Sequence, residues 1–471
     1  MSKPLRFVYV GKLNDDSVGD TPDDTRIGDT KYPADGDLYA SLGGASANIS
    51  RAVSTLGRLY KTPCSNTILT PLGDPPEKDQ YAKFGQFLKA KNSYENALAF
   101  LNHEGIDCIN VYPVGHKSGV ASSNVTNFGA NIPRGAGRSI VKNPSKPEVD
   151  TASADLSSLD LKSIGLNIKD IEAVDLKSVD LNSLDLSSVN FDILRRNFSF
   201  FKPDAQAAEK KTLSVSLTDK FTLAAHGLVE TLKVKLEANI HQGDCVVIDT
   251  VRPLLAYVAA GVCHEKGIPY NIDYGDTAWP RDPDKAALLS AVLKNANRII
   301  GPDDGVVDGM EANKRRPAEF FGALTGKDIT LGNDGVITKC ENSEIPREYK
   351  AQTVLMSNST MPVCFSHAGD VSNINVEAAE KGAVNPLGVG DTRDGAFFFF
   401  IAKGDDDYTA ADKATAIATI RIQYPDNEWE YHFYEDVQKN ECFRELFKSD
   451  FEALGIPMAM NNRPVVMALE N

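Results

Sequence analysis

Long hydrophobic runs are scarce in this sequence, and no secretory signal is recognisable in it. The apolar run from Ala396 to Ala402 is far shorter than the about 20 residues that a membrane-spanning helix needs. The first residues include Pro4, Arg6 and Lys12, which interrupt the apolar core that a secretory signal requires. We therefore expect no transmembrane helix, no membrane partner and a cytoplasmic location.

The sequence is also poor in positive charge and in paired cysteines. Its 50 basic and 65 acidic residues give a formal net charge of −15, which argues against a nucleic-acid partner because such a partner favours a basic face. The seven cysteines form no Cys-x-x-Cys pair, so we expect reduced thiols rather than disulfides or a zinc site. What is present, 42% hydrophobic and 24% charged residues in a chain of 471, is typical of a soluble globular protein with two or three domains.

A glycine-rich loop followed by an apolar segment is the most informative stretch. Gly388, Val389 and Gly390 precede Asp391, and the run from Ala396 to Ala402 predicts a buried helix that begins at this loop. A helix N-terminus binds phosphoryl groups through its unpaired N–H groups and its dipole, and glycine lets the backbone come close. Asp391 is therefore a candidate base that accepts the proton of an attacking hydroxyl. The alternative is a plain turn in which Asp391 is the helix N-cap.

The amino-terminal segment predicts a second ligand-binding region. Leu5 to Val10 reads as a strand, and it ends in a polar segment of the kind that binds ligands in open α/β sheets. The stretch Gly43 to Asn48 opens a predicted helix that runs through Leu56 and stops at Gly57. Two glycines followed by Asn48 suit a polyol, because the amide can bond two hydroxyls, although a plain helix cap explains the glycines equally well.

Together these segments resemble the two signatures of the ribokinase-like, phosphofructokinase-B type carbohydrate kinase family. Gly11 to Asp16 with Gly43 to Gly57 resembles the amino-terminal signature, and Gly388 to Asp391 resembles the carboxyl-terminal anion-hole signature. Tyr81 to Asp107 resembles the family's helix that ends in Glu-Gly-Val-Asp. Four further segments resemble the successive parallel strands of the family: Cys245 to Asp249, Pro269 to Asp273, Arg298 to Ile300 and Asp328 to Leu331. The resemblance implies an α/β fold of three layers with a central, mostly parallel sheet and a small β lid.

The resemblance also implies a role for each matching residue. The residues that would contact the substrate hydroxyls are Asn14, Asp16, Gly43, Gly44 and Asn48. The catalytic base would be Asp391, in an anion hole made by Gly388, Val389 and Gly390. The segment Thr330 to Gly335 resembles the family's Thr-Leu-Gly-x-x-Gly turn, which implies that ATP is contacted by Thr330, Gly332 and Gly335. An ordinary strand and tight turn is the alternative for that segment.

Two departures from the family pattern concern metal and phosphate. Where the family has Asn-x-x-Glu, this sequence has Asp303, Asp304, a glycine and Val306, so valine replaces the Glu that helps to place Mg²⁺. Asp303 or Asp304 remains a candidate for holding the water shell of Mg²⁺, which needs few protein carboxylates. Arg393 stands where a buried aromatic residue is usual, and it either clamps a phosphate or points to solvent.

Between Ala154 and Ile193 the sequence advances in units of five residues with an apolar residue at each centre. The eight centres are Leu156, Leu161, Leu166, Ile171, Leu176, Leu181, Leu186 and Phe191. Five residues advance a helix by about 1.4 turns, so a helix would not keep these residues on one face. The segment resembles the pentapeptide-repeat family, which implies a four-sided right-handed β-solenoid with the central residues inside. A disordered linker is the alternative.

We therefore predict one kinase body, formed by residues 1–145 and 205–428, with a repeat insertion at residues 150–195. Residues 429–471 are predicted to pack on this body, with a helix from Glu435 to Leu454 and a short strand near the end. The predicted function is phosphorylation of a sugar or nucleoside hydroxyl with ATP and Mg²⁺. The alternative is a catalytically silent relative that binds a ligand or a protein partner. The repeat is a candidate surface for such a partner or for a homodimer.

Overall fold

The computed structural model describes a large part of the chain, in sixteen segments. These are residues 3–20, 39–70, 101–111, 121–128, 208–216, 228–274, 283–302, 321–322, 324–331, 336–343, 349, 351–357, 363–377, 379, 388–424 and 428–457. Within these segments, no helix is both long enough and apolar enough to cross a bilayer.

A sheet of nine strands forms the centre of the molecule. The strands are β1 (Leu5–Val10), β4 (Cys64–Thr70), β5 (Ile106–Asn110), β8 (Cys245–Asp249), β9 (Tyr270–Asp273), β10 (Arg298–Pro302), β13 (Thr353–Ser357), β14 (Val363–His367) and β15 (Asp370–Ile374). Their order is β15-β14-β13-β10-β9-β8-β1-β4-β5, and all neighbours are parallel except at β13-β14 and β14-β15. The carboxyl ends of β1, β8, β9 and β10 therefore meet along one edge of the sheet.

Helices cover both faces of this sheet. They are α1 (Ala45–Leu59), α2 (Leu228–Asn239), α3 (Pro253–Glu265), α4 (Pro283–Lys294), α5 (Val389–Lys403), α6 (Asp407–Arg421), α7 (Trp429–Lys439) and α8 (Glu441–Ala453). Alternate residues of β1 belong to different cores: Val8 packs with α2, α3 and α4, whereas Phe7 packs with α1 and α5 to α8. This alternation follows from the two-residue period of a strand, and it confirms the predicted three-layer α/β fold.

Two smaller sheets lie outside the central one. A four-stranded antiparallel sheet has the order β3-β2-β7-β6 and consists of β2 (Asn14–Asp20), β3 (Tyr39–Gly43), β6 (Ala121–Phe128) and β7 (Ala208–Ser216). This sheet corresponds to the small lid that the family resemblance implies. In it Phe128 pairs with Ala208, so the chain between them leaves and re-enters at one end of the β6-β7 hairpin. The predicted repeat, residues 150–195, falls in that interval and outside the described residues, so its fold stays a prediction.

Gly57 does not end the first helix as the sequence pattern predicts. The helix continues to Leu59, and Tyr60 is its C-cap. A Cβ at Gly57 would lie 3.0 Å from Cys64 Sγ and 3.1 Å from the carbonyl oxygen of Thr62. The glycine is therefore needed for the close return of the chain into β4 rather than for helix termination.

The predicted parallel strand from Asp328 to Leu331 is also wrong. Residues Lys327–Leu331 form β11, which pairs antiparallel with β12 (Ile337–Asn342) in a separate two-stranded sheet. The place beside β10 in the central sheet belongs to β13, whose residues are nearly all buried. The burial pattern of β11 alternates, as expected for a strand with one face open to solvent, and this alternation distinguishes it from β13.

The single helix predicted from Glu435 to Leu454 is two helices, α7 and α8. Asn440 breaks the helix because its extended backbone caps α8, with its side chain accepting a hydrogen bond from Phe443 N. The two helices pack on α5 and α6 through a buried aromatic cluster in which Phe447 contacts Phe400 and Phe433. An ion pair between Asp450 and Lys413, 2.6 Å long and buried on both sides, joins α8 to α6.

Candidate functional site

The predicted anion site lies at the N-terminus of α5. Gly388 is the N-cap, with a left-handed φ of 70° that favours glycine, and it has no side chain with which to cap the helix. A Cβ at Gly388 would lie 3.0 Å from Asn48 Nδ2, whereas a Cβ at Gly390 would meet no atom of the described residues within 4 Å. The N–H groups of Val389 and Gly390 have no acceptor inside the helix, because the first turn of any α-helix lacks one. Among the described residues the space at Gly390 is therefore open, and a helix N-terminus of this kind is a candidate site for an anion.

Asp391 lies in the first turn of α5 and is half-buried. It is not the N-cap, so the alternative of a plain capped turn is wrong. Asn48 in α1 donates a hydrogen bond from Nδ2 to Asp391 Oδ2 at 2.7 Å, although the two residues are 343 positions apart. The structure thus brings together the predicted base and a predicted substrate-binding residue.

A close contact between α1 and α5 makes this hydrogen bond possible. Gly395 has no side chain to separate the helices, and a Cβ there would lie 2.6 Å from Ile49 O and 2.8 Å from Ala52 Cβ. Ile49 directly follows Asn48 in α1, and Gly395 lies one helical turn after Asp391 in α5. The short distance between the helix axes therefore sets the distance between Asn48 and Asp391.

The other predicted substrate-binding residues converge on the same region in the backbone. Asn14, the first residue of β2, pairs with Gly43, the last residue of β3. Gly44 follows as the N-cap of α1 with a φ of 90°, so the simple helix-cap explanation also holds for this glycine. Asp16 lies two residues further along β2 and pairs with Ser41. The four-stranded sheet therefore joins the α/β body next to the start of α1.

Asp249 is an acid at the end of β8 that the sequence reasoning did not assign to the site. It accepts hydrogen bonds from Lys12 N at 3.0 Å and from Val251 N at 2.7 Å. Gly11 is needed here, because a Cβ would lie 2.4 Å from Asp249 Cβ and 2.5 Å from Ser46 Oγ. Burial raises the pKa of Asp249. Hydrogen bonds from backbone N–H groups and the positive charges of Lys12 and Arg252 act to lower this pKa, but burial is the larger effect.

Asp273 at the end of β9 and Asp394 in α5 form a buried pair of carboxyl groups. They share a side-chain hydrogen bond, and each is at most 2% exposed. Burial raises the pKa of Asp273 well above its usual range, and the negative charges of Asp394, Asp391 and Asp249 raise it further. Burial also raises the pKa of Asp394, whereas Arg393 opposes that rise.

Arg393 does not point to solvent, so that alternative is wrong. Its side chain is 4% exposed, with Nε 2.7 Å and Nη2 2.6 Å from Asp394 Oδ1. The guanidinium is therefore already engaged within the protein. Its use as a phosphate clamp stays a prediction.

Several predicted residues are not brought into this site by the described structure. Thr330 lies exposed in β11. Outside the described residues lie Gly332, Gly335, Asp303 and Asp304. Among the residues that are described, no group of three His, Cys, Asp or Glu side chains is arranged to hold a metal ion.

A sequence signal for the unassigned acids did exist. Asp249 and Asp273 each end an apolar strand, in Val-Val-Ile-Asp and Tyr-Asn-Ile-Asp. In an open α/β sheet this position borders the ligand cleft. Asp394 carried no such signal, because its place beside Asp273 depends on how α5 crosses the ends of the strands.

Comparison with known proteins shows similarity at the level of structure. No family model matches the sequence, and no curated protein matches it. Solved structures similar to the chain are those of ribokinase-like carbohydrate and nucleoside kinases. The adenosine kinase of Trypanosoma brucei brucei is 14% identical, with a TM-score of 0.48 and coverage of 90% of this chain and 100% of that one.

Two further structures are similar over a comparable length. The nucleoside kinase of Burkholderia thailandensis in complex with inosine is 12% identical, with a TM-score of 0.46 and coverage of 95% of this chain and 98% of that one. The ribokinase of Arabidopsis thaliana complexed with ribose and ATP is 12% identical, with a TM-score of 0.44 and coverage of 90% and 94%.

Proposed function

We propose that this protein transfers the γ-phosphoryl group of ATP to a hydroxyl of a small sugar or nucleoside. The observation that carries the proposal is the hydrogen bond between Asn48 and Asp391 at the open N-terminus of α5. The carboxylate of Asp391, the amide of Asn48 and the first N–H groups of α5 lie close together, and this proximity supports the proposal. These are the groups that phosphoryl transfer to a hydroxyl needs.

In the reaction, the acceptor hydroxyl attacks the γ-phosphorus of ATP. A bond forms between the acceptor oxygen and phosphorus, and the bond from phosphorus to the ADP oxygen breaks. Asp391 takes the hydroxyl proton, and Asn48 holds the Asp391 carboxylate in position through its 2.7 Å hydrogen bond. The N–H groups of Val389 and Gly390, together with the helix dipole, stabilise the negative charge on the transferring oxygens.

The donor nucleotide and its metal ion would be held by residues of the second half of the chain. Thr330, Gly332 and Gly335 are the proposed contacts of ATP, and Asp303 and Asp304 are proposed to hold the water shell of Mg²⁺. When bound, Mg²⁺ screens the charge of the nucleotide phosphates. The open space around Gly390, where a Cβ would meet no described atom within 4 Å, supports the binding of the phosphoryl group there. Acceptors of the sugar and nucleoside classes suit the Asn14, Asp16, Gly43, Gly44 and Asn48 region, which offers amide, carboxylate and backbone groups to hydroxyls.

The direct test uses ATP, Mg²⁺ and a panel of sugars and nucleosides, with ADP formation as the readout. Asp391→Asn should lower the turnover of the accepted substrate by about 100-fold or more, with little change in its affinity, because the base acts only as the hydroxyl attacks. Asp107→Asn is the matched control, since Asp107 is exposed in β5, away from the site. An unchanged turnover in Asp391→Asn would remove this residue from the mechanism. Ligand binding without ADP formation for any acceptor would favour the silent relative.

A further inference from the structure

Burial and mutual repulsion oppose a negative charge on Asp273 and Asp394 at the same time. They share a hydrogen bond in a region from which water is excluded, and two adjacent carboxylates in such a place retain a proton between them. Arg393 decides which of the two is ionised. Its guanidinium lies on Asp394 at 2.6 and 2.7 Å, so the negative charge belongs on Asp394 and the proton on Asp273.

The surroundings of Asp273 support this assignment. The charged groups that face it are Asp249 from β8 and Asp391 and Asp394 from α5, with Arg393 beyond Asp394. The positive charges of Lys12 and Arg252 act on Asp249. Among the described residues, Asp273 Oδ2 is a buried atom with no hydrogen-bond partner. An unpaired carbonyl oxygen of a neutral acid costs less free energy in a buried place than an unpaired carboxylate oxygen does.

We propose that Asp273 is a positioning residue of the phosphoryl site: it is held as a neutral acid that donates a hydrogen bond to Asp394. Through Asp394 it fixes the side chain of Arg393, and it removes one negative charge from behind Asp391, where the anionic phosphoryl group arrives. The burial that raises the pKa of Asp273 acts in the same direction. This inference rests on the proposed function, because a positioning role needs a phosphate ligand at α5.

The first test needs no ligand. A carboxyl group whose pKa is raised in the folded protein stabilises the fold fully below its unfolded pKa, and the stabilisation is lost as pH rises through the folded pKa. Asp273→Asn keeps a neutral donor at every pH. The variant should therefore become more stable than the wild type as pH rises above about 4. In urea unfolding, the ratio of the two unfolding equilibrium constants should change by up to about tenfold per pH unit. Asp107→Asn, the exposed control, should show no such change. An advantage of Asp273→Asn that does not change with pH would overturn the neutral acid.

The second test uses a non-hydrolysable ATP analogue as the probe, because it carries a γ-phosphoryl group, with affinity measured by calorimetry between pH 5 and 9. The wild type should lose affinity with rising pH more steeply than Asp273→Asn, because only the wild type gains a negative charge at this position.

Turnover gives a further comparison. Asp273→Leu, which is neutral but cannot donate a hydrogen bond, should lower turnover, and Asp273→Asn should restore it. Parallel pH profiles for the wild type and Asp273→Asn would overturn the positioning role even if the stability result holds. Absence of binding of the ATP analogue by the wild type at every pH would instead overturn the proposed function and the positioning role with it.

Discussion

Replacing Gly395 with alanine tests the contact that holds the candidate site together. The added methyl group would lie 2.6 Å from the carbonyl oxygen of Ile49 and 2.8 Å from Ala52 Cβ. Both atoms belong to α1, and a backbone carbonyl oxygen cannot rotate away as a flexible side chain can. The two helices must therefore separate, which also lengthens the hydrogen bond from Asn48 to Asp391.

The expected cost follows from two opposing effects. Overpacking a well-packed contact costs about 1 to 3 kcal/mol, and the involvement of backbone favours the upper part of that range. Replacing glycine by alanine inside a helix returns about 1 kcal/mol. We therefore expect Gly395→Ala to lower the free energy of unfolding by about 2 kcal/mol.

Gly390→Ala is the matched control in the same helix. A Cβ at Gly390 meets no described atom within 4 Å, so the stability should not fall and should rise by up to about 1 kcal/mol. The Cα–Cβ bond of a helical residue tilts toward the N-terminus, so the new methyl group would lie toward the phosphoryl cradle. Gly390→Ala should therefore reduce the increase in melting temperature that a non-hydrolysable ATP analogue, which carries a γ-phosphoryl group, produces in the wild type.

Urea unfolding followed by circular dichroism measures the first effect, and thermal melting with and without the non-hydrolysable ATP analogue measures the second. Together the two variants separate the packing of the helices from the binding of a phosphoryl group at the start of α5. If Gly395→Ala is as stable as Gly390→Ala, the close approach of α1 and α5 is refuted. If Gly390→Ala binds the ATP analogue as the wild type does, the cradle is not where the phosphoryl group lies.

Three further predictions concern other parts of the chain. Burial acts to raise the pKa of Asp407, but hydrogen bonds, including those from Arg298 at 2.7 and 2.9 Å, outweigh it and lower the pKa. Asp407→Asn should therefore cost about 3 kcal/mol at neutral pH, and urea unfolding should show the deficit shrinking as pH falls below about 4. Changing Asp303 and Asp304 together to Asn should raise the Mg²⁺ concentration needed for half-maximal activity; an unchanged requirement would place the ion elsewhere. Leu176→Asp should make residues 150–195 sensitive to protease if they form a solenoid, because it would bury an unpaired charge. Unaltered resistance would contradict that fold.

The sequence alone predicted secondary structure correctly where the signal is local. The strand Leu5–Val10 has the predicted ends, because a run of apolar and β-branched residues bounded by glycine leaves few alternatives. The helix that follows Gly388 was predicted from a glycine loop and an apolar run, and it is observed as Val389–Lys403. The α/β architecture was predicted from the spacing of such elements together with the family resemblance.

Local signals failed where a residue serves a distant neighbour. Gly57 was interpreted as a helix stop, because glycine often has that role, but it allows the close approach of Cys64. The segment from Asp328 to Leu331 has the composition of a strand, and composition does not specify the partner strand. The single helix across Asn440 was predicted from apolar periodicity, which both helices retain on either side of the cap.

Only the tertiary structure decided the electrostatics of the candidate site. Asp273 and Asp394 lie far apart in sequence, and each alone would be an ordinary ionised aspartate. They come together because parallel strands end at one edge of the sheet and α5 begins at that same edge. Burial and the position of Arg393 then determine which of them holds the proton, and both depend on the packing of the whole body.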